Sequence, residues 1–325
     1  MSDRADAPPA RFEREAIVIE VLDLRKTYGD VQALDGVSFA VPEGAVYGLL
    51  GPNGAGKSTA ISILAGLVKP TSGRASIAGH DVATDATAAK QALGFVPQDV
   101  VLYDELNAAE NLEFFGGLYG MRGAALRTRV AELLVEIDLG DNAKRAVETY
   151  SGGMKRRLNL ACGLVHRPKV LLLDEPTVGI DPQARLHILE MVRRIAHEGT
   201  TVLYTTHYLQ EAEELCQRIA IIDHGRILAE GTLEELRAQV GERDLVSLRG
   251  HFDVTATSHL VDGLEGTEIL SIKDDEVQLA MRHGGDAFGR LVRGLSDCGE
   301  AREINIRQPS LENLFIKLTG RELRE

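Results

Sequence analysis

Apolar and polar positions alternate along residues 17–24 (IVIEVLDL) and again along 37–41 (VSFAV), where Val37, Phe39 and Val41 share one face. Alternation with period two predicts strands with one buried side. Residues 45–50 (AVYGLL) instead form a continuous apolar run that stops at Gly51, and Val170 to Leu173 form another. Runs of that kind suit parallel strands buried on both faces. Further strands are predicted over 201–206 (TVLYTT) and 219–223 (IAIID). Helical spacing covers Ser58 to Leu64, with Gly66 placed to end the helix, and most of 104–165. Strands separated by helices in this way predict an α/β fold on a parallel sheet.

Thr232 and Glu235 form a capping-box pattern that opens a helix reaching about Val240, and Gly241 marks a candidate boundary. A second pattern follows: a strand over 245–249, a short helix over 257–264, and a hairpin of 267–272 and 276–281 across Lys273–Asp275. Val277, Leu279 and Met281 alternate as a half-buried strand does. Phe288, Leu291, Val292 and Leu295 then fall at helical spacing, and 302–307 read as a last strand. The order βαββαβ predicts a small ferredoxin-like domain. Ser310 is placed to cap a final helix and Gly320 to end it. The expected organisation is a flexible polar tail over 1–16, a main domain over 17–240 with a helical subdomain at about 99–165, and an accessory domain over 241–325. No internal repeat is visible.

Composition narrows the functional classes. Of 325 residues, 44% are hydrophobic and 26% charged, which is a globular balance. No apolar run approaches the roughly 18 residues needed to cross a bilayer, and the N-terminal stretch has no apolar core of a secretory signal. A chain that neither spans a membrane nor is secreted is expected, which still allows it to sit on a membrane-embedded partner. The net charge is −13; residues 241–325 hold 11 basic and 16 acidic residues, a net −5, and the rest carries −8. Neither part is basic, so a nucleic-acid partner is not expected. Cys162, Cys216 and Cys298 are far apart and form no CxxC pair, which fits free thiols in a reducing cytoplasm. The nine histidines show no HxxxH or HExxH spacing, so no protein-held metal site is indicated.

The sharpest chemical signal is the run Gly51, Pro52, Asn53, Gly54, Ala55, Gly56, Lys57, Ser58 and Thr59, set between a predicted strand and helix. It matches GxxxxGK[ST], the pattern of a polyphosphate-binding loop. Its glycines let backbone N–H groups converge on phosphates without a Cβ in the way. Lys57 supplies a cation to the β- and γ-phosphates, and Ser58 a hydroxyl to Mg²⁺. The second signal is Asp174-Glu175 at the end of the apolar run from Val170. Asp174 is placed to hold Mg²⁺ directly or through water, and Glu175 to orient or deprotonate water at the γ-phosphate.

What narrows the class is Ser151-Gly152-Gly153-Met154 ahead of Lys155, Arg156 and Arg157. With Gln98, Asp174-Glu175, Gly179-Ile-Asp-Pro182 and His207, the chain resembles the nucleotide-binding subunit of an ABC transporter over about 17–240. That resemblance implies a RecA-like core, an antiparallel β subdomain and a helical subdomain. It also implies a head-to-tail homodimer in which Ser151, Gly152 and Gly153 face the γ-phosphate of ATP held by the other subunit. Tyr28 resembles the aromatic that stacks on adenine, with strand-end packing as the other reading. Gln98 resembles the glutamine that reaches Mg²⁺ and the attacking water. Asp181 resembles a dimer-interface aspartate and also reads as an N-cap ahead of Pro182. His207 resembles the switch histidine on the γ-phosphate. Tyr150 and Met154 stand where leucine and glutamine are usual, so Ser151 and the backbone donors must carry the contact. Arg156 and Arg157 taken singly read as solvated charges. Phe114, Phe115 and Leu118 have helical spacing and read either as core or, by resemblance, as the groove that receives a helix of a membrane partner.

Pro309-Ser-Leu-Glu-Asn-Leu-Phe315, Leu318-Thr-Gly-Arg321 and the Tyr150–Arg157 variant resemble ATP-binding subunits of ABC-2-type exporters of the daunorubicin-resistance kind. The reading is an ATPase, with ATP and Mg²⁺, that drives a separate ABC-2-type membrane permease from the cytoplasmic face. The alternatives are a soluble ABC-type ATPase acting on nucleic acid or ribosomes, disfavoured by the acidic balance, and a non-catalytic nucleotide sensor, disfavoured by Lys57, Glu175 and His207 together.

Overall fold

Val46–Leu50 and Val170–Asp174 are buried at every position, and both lie inside a six-stranded sheet. Across that sheet the order is Arg226–Gly231, Arg218–Asp223, Val46–Leu50, Thr201–Thr206, Val170–Asp174 and Leu93–Val96. Every pairing is parallel except the edge hairpin of Arg218–Asp223 with Arg226–Gly231. Parallel strands send their C-terminal ends to one edge, where such sheets bind ligands. The register sets Leu50 beside Thr206 and Asp174 beside Thr205. Gly51, Gln98, Glu175 and His207 therefore leave four neighbouring strands at the same edge.

The computed structural model describes residues 16–240, 243–273, 275–282, 287–307 and 310–319. Ile17–Tyr28 and Val31–Pro42, two long antiparallel strands, join Ser72–Ile77 and His80–Asp81 in a second sheet. Val37, Phe39 and Val41 are buried as their alternation predicts. The Phe39 ring stacks on Tyr47 of the central strand at 5.3 Å, so the same apolar core serves both sheets. The helical region holds Ala108–Leu118, Gly123–Glu136 and Gly152–Leu164. The first of these opens on a capping box of Asn107 and Glu110.

The chain divides at Gly231/Thr232, ahead of the Gly241 break expected from the sequence. The physical reason is that helix Leu233–Val240, opened by the predicted Thr232–Glu235 capping box, packs against the final helix Leu311–Thr319. Lys317 Nζ donates to the Gln239 carbonyl at 3.0 Å, and Ser310 Oγ caps the final helix by accepting from Asn313 N. Within this second unit the sheet order is Thr267–Ile272, Glu276–Arg282, Arg243–Phe252, Gly299–Arg307, all antiparallel. Helices Val254–Asp262 and Ala287–Cys298 close its core on Val246, Leu248, Val277, Leu279 and Met281. This is the ferredoxin-like order that βαββαβ predicts. The tail through residue 15, Gly241, the hairpin position Asp274, and Pro309, Gly320 and Arg321 lie outside the described residues.

Candidate active site

The phosphate-binding loop is shaped by close approaches that only glycine permits. A Cβ on Gly51 would come within 2.2 Å of the Ile222 carbonyl oxygen. Gly56 has φ 110° and a Cβ there would meet the Ala33 carbonyl oxygen at 2.7 Å. Gly56 is also the N-cap of helix Lys57–Leu64, and no side chain caps it. The first N–H groups of that helix thus remain available to an anion at its positive end.

Lys57, although 3% exposed, is fully engaged. Its Nζ donates to the carbonyls of Gly51 at 2.6 Å and Pro52 at 2.9 Å, and pairs with Glu175 Oε1 at 2.9 Å. The other oxygen of Glu175, Oε2, lies 3.1 Å from His207 Nδ1. Burial alone would raise the Glu175 carboxyl, but the His207 hydrogen bond and the Lys57 charge outweigh it and hold it below the ordinary range. Glu175 also sits at φ 45°, an uncommon conformation for a side-chain-bearing residue. Its N–H is anchored there by the Thr205 carbonyl and hydroxyl oxygens. Strain of this kind is retained where the surroundings over-determine it.

Asp174, the residue before Glu175 and the last of its strand, accepts from Thr205 Oγ1 at 2.7 Å and from Ser58 Oγ at 3.2 Å. Burial raises its carboxyl, and the two hydroxyls only partly offset that. A hydroxyl and a carboxylate side by side form a hard-oxygen donor pair of the kind Mg²⁺ takes alongside substrate phosphates. Among the described residues no cluster of His, Cys, Asp and Glu could hold a metal by itself.

The remaining positions lie around this group. Gln98 presents its carbonyl to Arg156 Nη1 at 2.5 Å. Ser151 caps helix Gly152–Leu164 by accepting from Met154 N at 3.3 Å. Gly153 packs so closely on Ala184 that a Cβ would fall 2.7 Å from the alanine Cβ. Asp181 Oδ1 accepts from Ala184 N at 2.9 Å with Pro182 at N1, so its capping role is as expected. Tyr28 ends its strand 47% exposed, with Lys26 Nζ 4.8 Å over the ring. Gly152 and Gly54 face open space. Among the described residues, no hydrogen bond or ion pair joins Tyr28 or Ser151–Gly153 to the Lys57 group.

Two expectations need correction. Arg156 is 5% exposed and donates to the carbonyls of Gln98, Pro97 and Val178. Arg157 donates to the Ile137 carbonyl at 2.8 Å. Neither is a solvated charge, because the loops that pass over helix Gly152–Leu164 leave carbonyls that need donors. Of the helical stripe, Phe114 and Leu118 are exposed, as are Tyr103 and Tyr119 beside it, so the core reading fails for them; Phe115 is half-buried, and Tyr103 and Phe114 are in edge contact at 4.7 Å. Thr205 was missed; the Thr-Thr pair just before His207 is the only signal that could have found it.

Comparison with known proteins agrees with this geometry. Residues 34–178 match the family described as ABC transporter. The chain is 42% identical to daunorubicin resistance ATP-binding protein DrrA3 of Streptomyces coeruleorubidus, over 94% of this chain and 97% of that protein. It is 36% identical to Nod factor export ATP-binding protein I of Ralstonia nicotianae, over 99% of this chain and all of that protein. It superposes with a TM-score of 0.60 on a dimeric post-hydrolysis ATP-binding cassette bound to ADP and Pi, at 29% identity over 66% of this chain and 98% of that one. The phosphate loop, the Asp174-Glu175 pair and this likeness along nearly the whole length agree: the chain belongs to the ABC transporter family, as one of its ATP-hydrolysing, ATP-binding subunits.

Proposed function

We propose that two copies of this chain close around two ATP molecules and drive export through a separate ABC-2-type membrane permease, docked on the cytoplasmic face of the membrane. The buried chain Lys57–Glu175–His207 beside Ser58–Asp174 carries this reading. Glu175 is ionised and aimed by two donors, so it can accept a proton from water attacking the γ-phosphate. Lys57 and His207 stabilise the charge that develops on the phosphoryl oxygens. Ser58, Asp174 and Gln98 are the residues that would hold Mg²⁺, which when bound neutralises β- and γ-phosphate oxygens. Tyr28 is the adenine platform.

Ser151, Gly152 and Gly153 serve the nucleotide of the opposite subunit, and Asp181 lies at that same interface. The open faces of Gly152 and Gly54 and the solved dimeric relative support that arrangement. The exposed Tyr103–Phe114 patch is the docking face for the permease, in keeping with relatives named for resistance and export.

Glu175→Gln tests the reading. It should bind ATP, accumulate as a nucleotide-dependent dimer and stop turning over. Near-normal phosphate release would remove Glu175 from its role. For the partner, affinity purification from membranes should co-isolate a polytopic protein, and recovery of the chain with nucleic acid or ribosomes instead would overturn the transport assignment.

A further inference from the structure

Glu211 belongs to helix Leu209–Leu215 and is only 2% exposed. In sequence it is one acid of the run Glu211-Ala-Glu-Glu214 and has the look of a solvated helix face. A carboxylate taken out of water is costly unless its oxygens are filled, and here they are. Oε1 accepts from Thr177 Oγ1 at 2.6 Å, and Oε2 accepts from Tyr204 OH at 2.9 Å and Thr206 Oγ1 at 2.8 Å. Arg185 Nε stands 3.5 Å from Oε1.

The partners come from the two segments that carry hydrolytic side chains. Thr177 follows Glu175 by two residues, on the loop that leads to Asp181. Thr206 immediately precedes His207, and its hydroxyl in turn accepts from Tyr208 N at 2.9 Å. Arg185 lies in the first turn of the helix that Asp181 caps, and its guanidinium covers the Tyr208 ring at 4.4 Å. The Tyr208 ring lies 4.2 Å from that of His207. Glu211 therefore binds the chain on both sides of the Glu175–His207 bond, through Thr177 and Thr206.

We propose that Glu211 is a positioning residue for hydrolysis: a buried clamp that fixes the His207 segment against the Glu175–Asp181 loop, so that a shift in one is carried to the other. This rests on the functional reading above. Short hydroxyl-to-carboxylate bonds are among the stronger ones in proteins. Displacement of a catalytic pair by about 1 Å can cost about 100-fold in rate.

The test uses the full-length chain. Glu211→Ala should lower kcat about 10- to 100-fold with the KM for ATP little changed, since the phosphate loop is untouched. Glu211→Gln keeps an acceptor for Tyr204 and Thr206 and an amide that can donate to Thr177, and should restore most of kcat. Thr177→Val and Thr206→Val, each removing one hydroxyl, keep the assay usable if the alanine variant folds poorly. Amide hydrogen exchange on the nucleotide-free chain reads the clamp without hydrolysis. Thr177→Val should speed exchange at residues 206–208, and Thr206→Val at 175–181, with 51–58 unchanged. Loss of rate in proportion to loss of folded protein, or exchange that rises only next to each substitution, overturns the clamp. If wild-type chain released no phosphate while the cross-exchange held, the hydrolytic reading would fail and the clamp would stand.

Discussion

 

Lys57 Nζ and Glu175 Oε1 are 2.9 Å apart, in a pair whose side chains are 3% and 5% exposed. The proposed phosphate-binding cation and the proposed general base therefore hold each other, and removing one leaves a buried charge short of a partner. Lys57→Met should lose ATP binding, read with a fluorescent nucleotide, and lose about 3–5 kcal/mol of stability in urea melts at pH 7. Adding Glu175→Gln should return part of that stability and none of the binding. The pH dependence has a definite sign. The Glu175 carboxyl is held below its ordinary 4.5, so its pairing contributes fully above pH 4.5 and is lost as the pH falls through the lowered value. The stability gap between wild type and Lys57→Met should narrow on acidification below that point. A gap that stays constant down to pH 3 would sink the pairing argument.

Tyr28 offers a half-exposed ring with a lysine over one face. Stacking of a base on an aromatic side chain contributes about 1–3 kcal/mol. Tyr28→Ala should weaken ATP binding by about 10-fold or more, with Tyr28→Phe close to wild type, both read by titration calorimetry. Equal affinities in all three proteins would leave Tyr28 as strand-end packing.

Much of this site was legible because its signals are local. The Gly51–Thr59 run, the Asp174-Glu175 doublet at the end of an apolar strand and the Asp181-Pro182 cap each lie within a few consecutive residues. The βαββαβ order after residue 240 was legible for the same reason, since its periodicities change at each turn. What could not be read depends on packing between distant segments. Arg156 looks like a surface charge until the loops carrying Gln98 and Val178 arrive above it. Glu211 looks solvated until Thr177 and Thr206 supply its donors. The true start of the second unit was hidden because the contact that assigns helix Leu233–Val240 comes from residues 311–319.

Asp35 gives a test of how the second sheet supports the phosphate loop. Its carboxylate takes the Arg226 guanidinium, with Nε at 2.6 Å, and also pairs with Arg25, while its N–H donates to the Gly225 carbonyl at 2.8 Å. Gly225 and Gly56 both pack against Ala33 and Leu34. The Arg226 hydrogen bond, opposed in part by burial, holds the Asp35 carboxyl below its ordinary 3.8. Its contribution is therefore present above pH 3.8 and is lost as the pH falls through the lowered value. Asp35→Asn should melt at a lower temperature than wild type at pH 7, and the two should converge in acid. A difference in Tm that grows on acidification would contradict this assignment.

Gly153 tests whether the helix that begins at Ser151 must sit hard against its neighbour. A methyl group there would fall 2.7 Å from the Ala184 Cβ, closer than packed carbon atoms approach, so one helix start has to move. Ala184 lies in the first turn after Asp181, and its N–H is the one Asp181 caps. Gly153→Ala should therefore displace both elements assigned to the dimer interface while leaving Lys57, Ser58 and Tyr28 in place. ATP affinity of the single chain should stay near wild type, and turnover should fall about 10- to 100-fold. Ala184→Gly removes the obstructing methyl at a cost of about 1 kcal/mol in helix propensity, and Gly153→Ala combined with it should regain most of the lost turnover. Full turnover in Gly153→Ala alone would show that the close approach has no bearing on hydrolysis. A double variant no better than the single one would trace the loss to something other than the clash with Ala184.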